Sequence, residues 1–319
     1  MLNIESINAA RDRIASRIHR TPVVSSRQFN EVAGKQVFFK CENLQRAGAF
    51  KIRGATNKIQ SLTSEEKQRG IVAFSSGNHA QAVALAGREA GVRVVVAMPD
   101  DAPKMKVAAT RDYGAEIIFY DRHREERQKF AEDLAERERL VMVPPYDDPL
   151  ILAGQATCGL ELLEDVPDLD CLLAPCSGGG LFAGVASAAT EVKPGIRCFA
   201  VEPDTADDTK QSFDKGERVH IPPPPTIADG LRVQIPGTLT FPILQRLAED
   251  VLTVSDEEIL ATMRFMLFRM KLLVEPSGAA AAAAVMFKKL PANVEKVGVV
   301  LSGGNIDPEM LERVMLETW

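Results

Sequence analysis

The chain of 319 residues has no excess of basic residues: 38 Lys and Arg stand against 44 Asp and Glu, a formal net charge of −6 at pH 7. Nucleic acid and anionic membranes are gripped through basic surfaces, so this balance argues against both as partners. Small anions stay possible, since a local positive field needs no positive total. No apolar run is long enough to span a bilayer, and the N-terminus lacks the apolar core of a signal peptide. The cysteines Cys41, Cys158, Cys171, Cys176 and Cys198 are odd in number and scattered, without a C-x-x-C. That pattern fits a reducing cytosol and neither a disulfide framework nor a zinc site. There is no G-x-G-x-x-G, no G-x-x-x-x-G-K-[ST] and no internal repeat.

What is present is an ordinary globular composition, 45% hydrophobic and 26% charged, in a chain long enough for two domains. Apolar positions Ile7, Ala10, Ile14 and Ile18 predict a helix over 5–18, ended by Thr21-Pro22. A strand over 36–40, a loop over 42–49 and a helix over 51–60 follow. Strands are expected at 71–74, 92–97, 115–119 and 140–143. Helices between them span 77–90, 103–112 and 123–138. The second half repeats the rhythm, with strands at 171–174, 196–201, 250–254 and 297–301. Its helices are expected at 149–163, 180–191, 255–271, 277–289 and 307–317, and Pro222 to Pro225 form a stiff loop. Short apolar runs alternating with helices predict an α/β fold of right-handed βαβ units and mostly parallel sheets. Residues 70–146 are expected to form a small domain inserted into a larger, discontinuous one of 1–69 and 147–319. A ligand then belongs in the crevice at the carboxyl ends of the strands.

Four segments carry candidate chemistry. In Ala47-Gly48-Ala49-Phe50-Lys51-Ile52-Arg53-Gly54 an aromatic and aliphatic setting can desolvate Lys51 and lower its pKa. A neutral amine can condense with a carbonyl; a solvated surface lysine is the plain alternative. Ser177-Gly178-Gly179-Gly180-Leu181 follows a strand and opens a helix, a phosphate cradle made of backbone N–H groups, or else a tight turn. A mononucleotide or phosphorylated cofactor suits it better than a dinucleotide. Ser75-Ser76-Gly77-Asn78-His79 offers N–H groups and hydroxyls to a carboxylate, unless Ser76 is simply an N-cap. Ser302-Gly303-Gly304-Asn305 closes a further strand at the same end. Carboxylates in 202–208 can hold a hard cation or cap a helix, and Ser277 can cap the helix of Ala279 to Ala284.

Taken together, and with Thr226-Ile227-Ala228-Asp229-Gly230 and Glu275-Pro276-Ser277-Gly278, these segments resemble the fold-type-II pyridoxal-phosphate enzymes over nearly the whole chain. The likeness is to the threonine/serine dehydratase and serine racemase group, which includes 3-hydroxyaspartate dehydratases. It implies a tryptophan-synthase-β-like pair of twisted, mostly parallel sheets flanked by helices. It implies that Lys51 carries the cofactor and takes the Cα proton. Phe50, Asn78, Ser177, Gly178, Gly179, Gly180, Leu181, Gly230 and Ser302 would contact the cofactor, although the family usually has glycine where this chain has Ser177. Ser75, Ser76, Asn78 and His79 would hold the substrate carboxylate. Serine racemases have serine where this chain has Ser76, which implies reprotonation from the face opposite Lys51.

Arg127, in the arginine-rich stretch from Arg122, falls where serine racemases have an arginine near the substrate and would suit a second carboxylate. A solvated helix face explains most of those charges. Glu202, Ala206 and Asp208 match a stretch that binds magnesium, manganese or calcium in serine racemases. The expected function is dehydration of L-serine, L-threonine or 3-hydroxyaspartate to a 2-oxo acid and ammonia. Serine racemase is the alternative, and a non-catalytic phosphate- or nucleotide-binding protein is the rival of another class. The expectation includes a cytoplasmic homodimer and, with Trp319 ending the chain, no added amino-acid-binding regulatory domain.

Overall fold

The computed structural model describes residues 2–102, 104–121 and 124–316. Pro103, Arg122, His123 and position 317, where the sequence places helix ends and part of the arginine run, lie outside the described residues, as does Trp319.

The elements run α1 (Ile4–Ile14), β1 (Val23–Ser25), α2 (Arg27–Ala33), β2 (Gln36–Cys41), α3 (Lys51–Gln60), α4 (Ser64–Arg69), β3 (Ile71–Phe74), α5 (Asn78–Ala90), β4 (Val94–Pro99), α6 (Lys104–Asp112), β5 (Glu116–Tyr120), α7 (Arg127–Glu138) and β6 (Val141–Met142). They continue as α8 (Pro149–Asp165), β7 (Cys171–Pro175), α9 (Gly180–Val192), β8 (Arg197–Pro203), α10 (Asp208–Lys215), α11 (Thr240–Leu247), β9 (Asp250–Val254), α12 (Asp256–Phe265), α13 (Pro276–Met286), β10 (Lys296–Leu301) and α14 (Pro308–Leu316).

These strands make two sheets, one of six in the order β1-β2-β10-β7-β8-β9 and one of four in the order β5-β4-β3-β6. Every pairing is parallel except β1 with β2. The fold is therefore mixed α/β with mostly parallel sheets between helices. Parallel strands buried on both faces explain the continuous apolar runs, such as the fully buried Val94–Pro99.

Order in the larger sheet places the site. The chain steps outward from β7 to β8 to β9, then returns so that β10 lies between β2 and β7. That reversal opens a crevice at the carboxyl ends of β7 and β10. The loops after β7, β8 and β10 share one edge because these strands are parallel. Beneath the sheet lies α13, whose run Ala279 to Ala284 is fully buried and packs against β7, β8 and β10. Alanine's small side chain allows that close approach.

Helix α3 joins the two sheets. Its Ile52, Ala55 and Ile59 belong to the core around β3, β4 and α5. Arg53, on the same helix, is fully buried on the other side. Its guanidinium forks onto Glu42 and Glu161 through four bonds of 2.8 Å. Lys40 completes two cations against two anions, pairing with Glu161 at 2.6 Å. Such a network is tolerable in a dry interior because every charge is matched and hydrogen-bonded.

Several sequence expectations need correction. The strand β1 and the helices α2, α4, α10 and α11 were not legible, being short or weakly periodic. The helix expected over 123–138 begins at Arg127, because the Glu126 carboxylate caps it by accepting from the N–H groups of Gln128 and Lys129. The expected helix over 255–271 is α12 followed by a wider π-turn over Met266–Met270, closed by Lys271 at φ 59°. Ser277 does not cap α13. Glu275 holds the cap position and the Ser277 hydroxyl accepts a bond from the N–H of Gly230 at 2.9 Å.

Candidate active site

Lys51 is the first residue of α3, and its half-buried amine lies in the gap between the two sheets. Nζ donates to the carbonyl of Pro145 at 2.6 Å, just past β6, and stands 5.1 Å from the centre of the Phe50 ring. Burial first, and then the positive charge of Arg127, lower its pKa to about 8 against the opposing charge of Glu275. The amine is thus partly neutral near physiological pH, as the sequence predicts. The turn before it is tied to the β10 loop, with the N–H of Phe50 donating to the carbonyl of Ser302 at 3.0 Å.

The glycine loop Gly178–Gly180 lies at the switch point and runs into the first turn of α9, with Gly179 at the cap position. Gly179 has φ +89°, a left-handed conformation that costs other residues roughly 1–2 kcal/mol. A Cβ on Gly178 would lie 2.4 Å from the ring of Tyr146, and one on Gly179 would lie 2.7 Å from the Thr240 side chain. Backbone, not side chain, therefore lines this turn. The first N–H groups of α9 lack partners within the helix, so the loop and the helix start form an anion cradle. Ser177 Oγ, beside it, is buried with no partner among the described residues. The carbonyl of Gly178 accepts from Thr240 Oγ1 at 2.5 Å, which braces the loop from behind. An orphaned hydroxyl beside bare amides fits a phosphate group.

The loop Ser75–Asn78 leaves the four-stranded sheet and faces this gap. Ser75 Oγ accepts from the N–H of Gly77 at 3.1 Å. Gly77, not Ser76, holds the cap position of α5, and the Ser76 hydroxyl has no partner among the described residues. Asn78 Nδ2 donates to Glu275 Oε1 at 2.7 Å, and Asn78 Oδ1 accepts from Asn305 at 2.9 Å. His79 is buried and its Nε2 pairs with the carbonyl of Val143 at 2.8 Å. Burial, with the nearby Lys51 charge, lowers its pKa to about 3, so it is a neutral structural partner.

Ser302 is buried, and its hydroxyl donates to the carbonyl of Ser277 at a long 3.5 Å. Gly230 is bound to the same residue through the Ser277 hydroxyl. Leu181 is buried in the first turn of α9. Arg127 is exposed at the start of α7, within electrostatic reach of both Lys51 and Tyr146. A cavity of about 390 Å³ is lined by its neighbour Gln128 together with Pro145, Tyr146, Arg218 and Pro236. Glu275 and Tyr146 were not assigned roles from the sequence. Glu275 was quoted only as part of a motif, and nothing local marks Tyr146 as a wall of the glycine loop.

Glu202 near the end of β8 and Asp208 at the start of α10 are buried, and Glu202 Oε2 and both Asp208 carboxylate oxygens have no partner among the described residues. Burial raises both pKa values, that of Asp208 to about 8. Ala206 is buried between them in sequence. Among the described residues no group of three or more His, Cys, Asp or Glu side chains is arranged to hold a metal.

No described helix is long and apolar enough to cross a membrane. All five cysteines are buried and unpaired.

Comparison with known proteins agrees with this geometry. Residues 14–303 match the family described as pyridoxal-phosphate dependent enzyme. The chain is 47% identical over 298 residues to L-threo-3-hydroxyaspartate ammonia-lyase of Saccharomyces cerevisiae, covering 93% of this chain and 91% of that protein. It is 45% identical to serine racemase of Schizosaccharomyces pombe, covering 96% and 94%. The structure of maize serine racemase superposes with a TM-score of 0.94 at 43% identity, covering 98% and 96%. A lysine amine of lowered pKa and a glycine cradle, on a chain matched along nearly its whole length, lead to one conclusion: the protein belongs to the pyridoxal-phosphate dependent enzyme family, in its fold-type-II branch.

Proposed function

We propose that this enzyme eliminates water from a β-hydroxy amino acid, releasing a 2-oxo acid and ammonia. The observation that carries the reading is the Lys51 amine, its pKa lowered to about 8, in a chain whose Gly178–Gly180 turn has no room for side chains. Bound pyridoxal phosphate supplies an electron sink for the pair left at Cα. Gly178, Gly179, Gly180 and Leu181 hold its phosphate through N–H groups, with Ser177 beside them. Phe50, Asn78, Gly230 and Ser302 complete the contacts. The Ser302 hydroxyl, being uncharged, would not hold a proton on the bound cofactor, and the chemistry supplied there would favour loss of a β-substituent.

With cofactor and substrate bound, Lys51 Nζ would accept the Cα proton as general base. The β-hydroxyl departs with one proton as water. The released enamine hydrolyses to the 2-oxo acid and ammonia. Ser75, Ser76, Asn78 and His79 orient the substrate carboxylate, His79 as a fixed neutral group. Arg127 favours a second carboxylate and thus 3-hydroxyaspartate; its field at Lys51 supports this placement. Racemisation of serine is a second activity of the same site, with the unpartnered Ser76 hydroxyl returning a proton from the other face.

Glu202, Ala206 and Asp208 hold a divalent cation, magnesium, manganese or calcium, with water filling its shell. Three buried carboxylate oxygens without partners among the described residues support this part. The protein is cytoplasmic and acts as a homodimer, a reading supported by its unpaired cysteines and by the exposed apolar side chains of Leu44, Phe268 and Leu273.

The test is a panel of serine, threonine and 3-hydroxyaspartate stereoisomers, assayed for oxo acid and ammonia and by chiral analysis. Turnover of 3-hydroxyaspartate above that of threonine, dependent on Arg127, is the expected result. No oxo acid from any member overturns the reading.

A further inference from the structure

We propose that Lys106 is a positioning residue, a clasp that holds the substrate-facing sheet in register on the cofactor-facing sheet. This inference rests on the function proposed above. Lys106 lies on α6, between β4 and β5 of the four-stranded sheet. Its Nζ reaches across to two carboxylates of the other half, Asp229 Oδ2 at 2.5 Å and Asp307 Oδ2 at 3.5 Å. The Lys106 side chain is 17% exposed, while Asp229 and Asp307 are 42% and 40% exposed. A single cation from one half is thus shared between two anions of the other, at the rim of the gap.

Both carboxylates sit on loops that carry the site. Asp229 immediately precedes Gly230, and its loop is anchored below by Thr226 Oγ1 donating to Asp256 at 2.6 Å. Asp307 follows Asn305, whose amide holds Asn78 and the carbonyl of Ala47. The same trio acts on the buried Glu275, whose carboxyl accepts from Asn78. Asp229 and Asp307 raise its pKa while Lys106 lowers it. Burial disfavours the Lys106 ammonium, yet the pull of Asp229, joined by Asp307, outweighs that and raises its pKa, so the clasp is charged across the working range.

The physical consequence follows from what each half contributes. The Ser75–Asn78 loop, on the four-stranded side, holds the substrate carboxylate. Lys51, the glycine cradle and Ser302 stand on the other side. Closure of one half on the other is required equally in the bound ground state and in the transition state. Loss of the clasp therefore removes uniform binding, which raises KM and leaves kcat nearly unchanged.

The experiment uses the cofactor-loaded enzyme and Lys106→Gln. Hydrogen–deuterium exchange is followed over 104–112 and 226–231, alongside steady-state kinetics with the best substrate of the panel. The expected result is faster exchange in both segments and KM raised about fivefold, the size of a partly exposed ion pair, with kcat within about twofold of wild type. In about 1 M salt, where the screening length shortens to about 3 Å, the KM of wild type rises more than that of the variant, so the ratio between them shrinks toward one. A merely structural lysine would not show that salt mimicry. The charge-exchanged pair Lys106→Glu with Asp229→Lys recovers most of the lost KM. Unchanged exchange and KM in Lys106→Gln overturn the proposal, as does a raised KM that neither salt reproduces nor the exchanged pair recovers. If wild type turns over no hydroxy amino acid, the function reading fails, and the exchange measurement still decides whether the clasp exists.

Discussion

Asn78 Nδ2 donates to Glu275 Oε1 at 2.7 Å, joining the start of α5 in one half of the molecule to the cap of α13 in the other. The accepting carboxyl is fully enclosed. Burial first, and then the negative charge of Asp229, raise its pKa to about 8 against the opposing bond from Asn78.

Glu275 should make stability fall with pH. Its folded pKa lies above the unfolded value, so the folded state binds more protons between roughly 4.5 and 8. Stability contributed by this group is lost as pH rises through that window and is level beyond it. Glu275→Gln cannot ionise, so its melting temperature should fall less than that of wild type from pH 5 to pH 8.5. Parallel melting curves for the two proteins would refute the assignment.

Lys51 should set the pH dependence of cofactor attachment. The rate at which the cofactor-free protein takes up pyridoxal phosphate should rise with pH and level off above about 8. Arg127→Gln removes a neighbouring positive charge, so its inflection should move to higher pH. Lys51→Ala should abolish covalent trapping by borohydride and turnover. A nucleotide-binding protein would show none of these effects.

Gly179 and Gly195 provide a matched pair. Both have positive φ, +89° and +87°, but a Cβ at Gly195 meets nothing within 4 Å whereas one at Gly179 meets Thr240. Each alanine substitution should cost roughly 1–2 kcal/mol of stability from backbone strain. Only Gly179→Ala should also weaken cofactor binding, by about tenfold or more, the equivalent of about 1.4 kcal/mol. Equal cofactor affinity in the two variants would remove the cradle from the argument.

Arg53→Met should destabilise severely. It leaves Glu42 and Glu161 buried with only Lys40 to balance them. Removing one partner of a buried pair costs about 3–5 kcal/mol. Chemical denaturation would read this directly, and a loss below about 1 kcal/mol would mean that water or proton uptake substitutes for the guanidinium.

A divalent cation should stabilise the enzyme through Glu202 and Asp208. Chelation should lower the melting temperature of wild type, and added magnesium or manganese should restore it. Asp208→Asn should be indifferent to both treatments. Wild-type melting that ignores chelator would count against the cation.

Much of the site was readable in the chain because its parts are local. Lys51 opens its helix where the sequence places it, and Gly179 needs the left-handed backbone that a glycine run supplies. The small sheet was readable too, since β3, β4, β5 and β6 each follow a clear apolar run. The failures have physical causes. Ser277 has the composition of a cap, but Gly230 competes for its hydroxyl from 47 residues away. Arg127 begins α7 because Glu126 turns back to cap it, a choice that an arginine-rich stretch hides.

The sequence by itself determined which groups could react: an amine beside an aromatic ring, amides left bare by glycine, and hydroxyls at strand ends. These are properties of a few contiguous residues, and contiguity preserves them in any fold. Tertiary structure alone decided what those groups meet. Pro145 accepts from Lys51 across 94 residues of chain, and Glu275 meets Asn78 across 197. Both contacts join segments that the packing of separate elements brings together, and packing of that kind is written in no single window. Desolvation works the same way: the lowered pKa of Lys51 comes from the bodies packed around it, which the chain supplies only once it is folded.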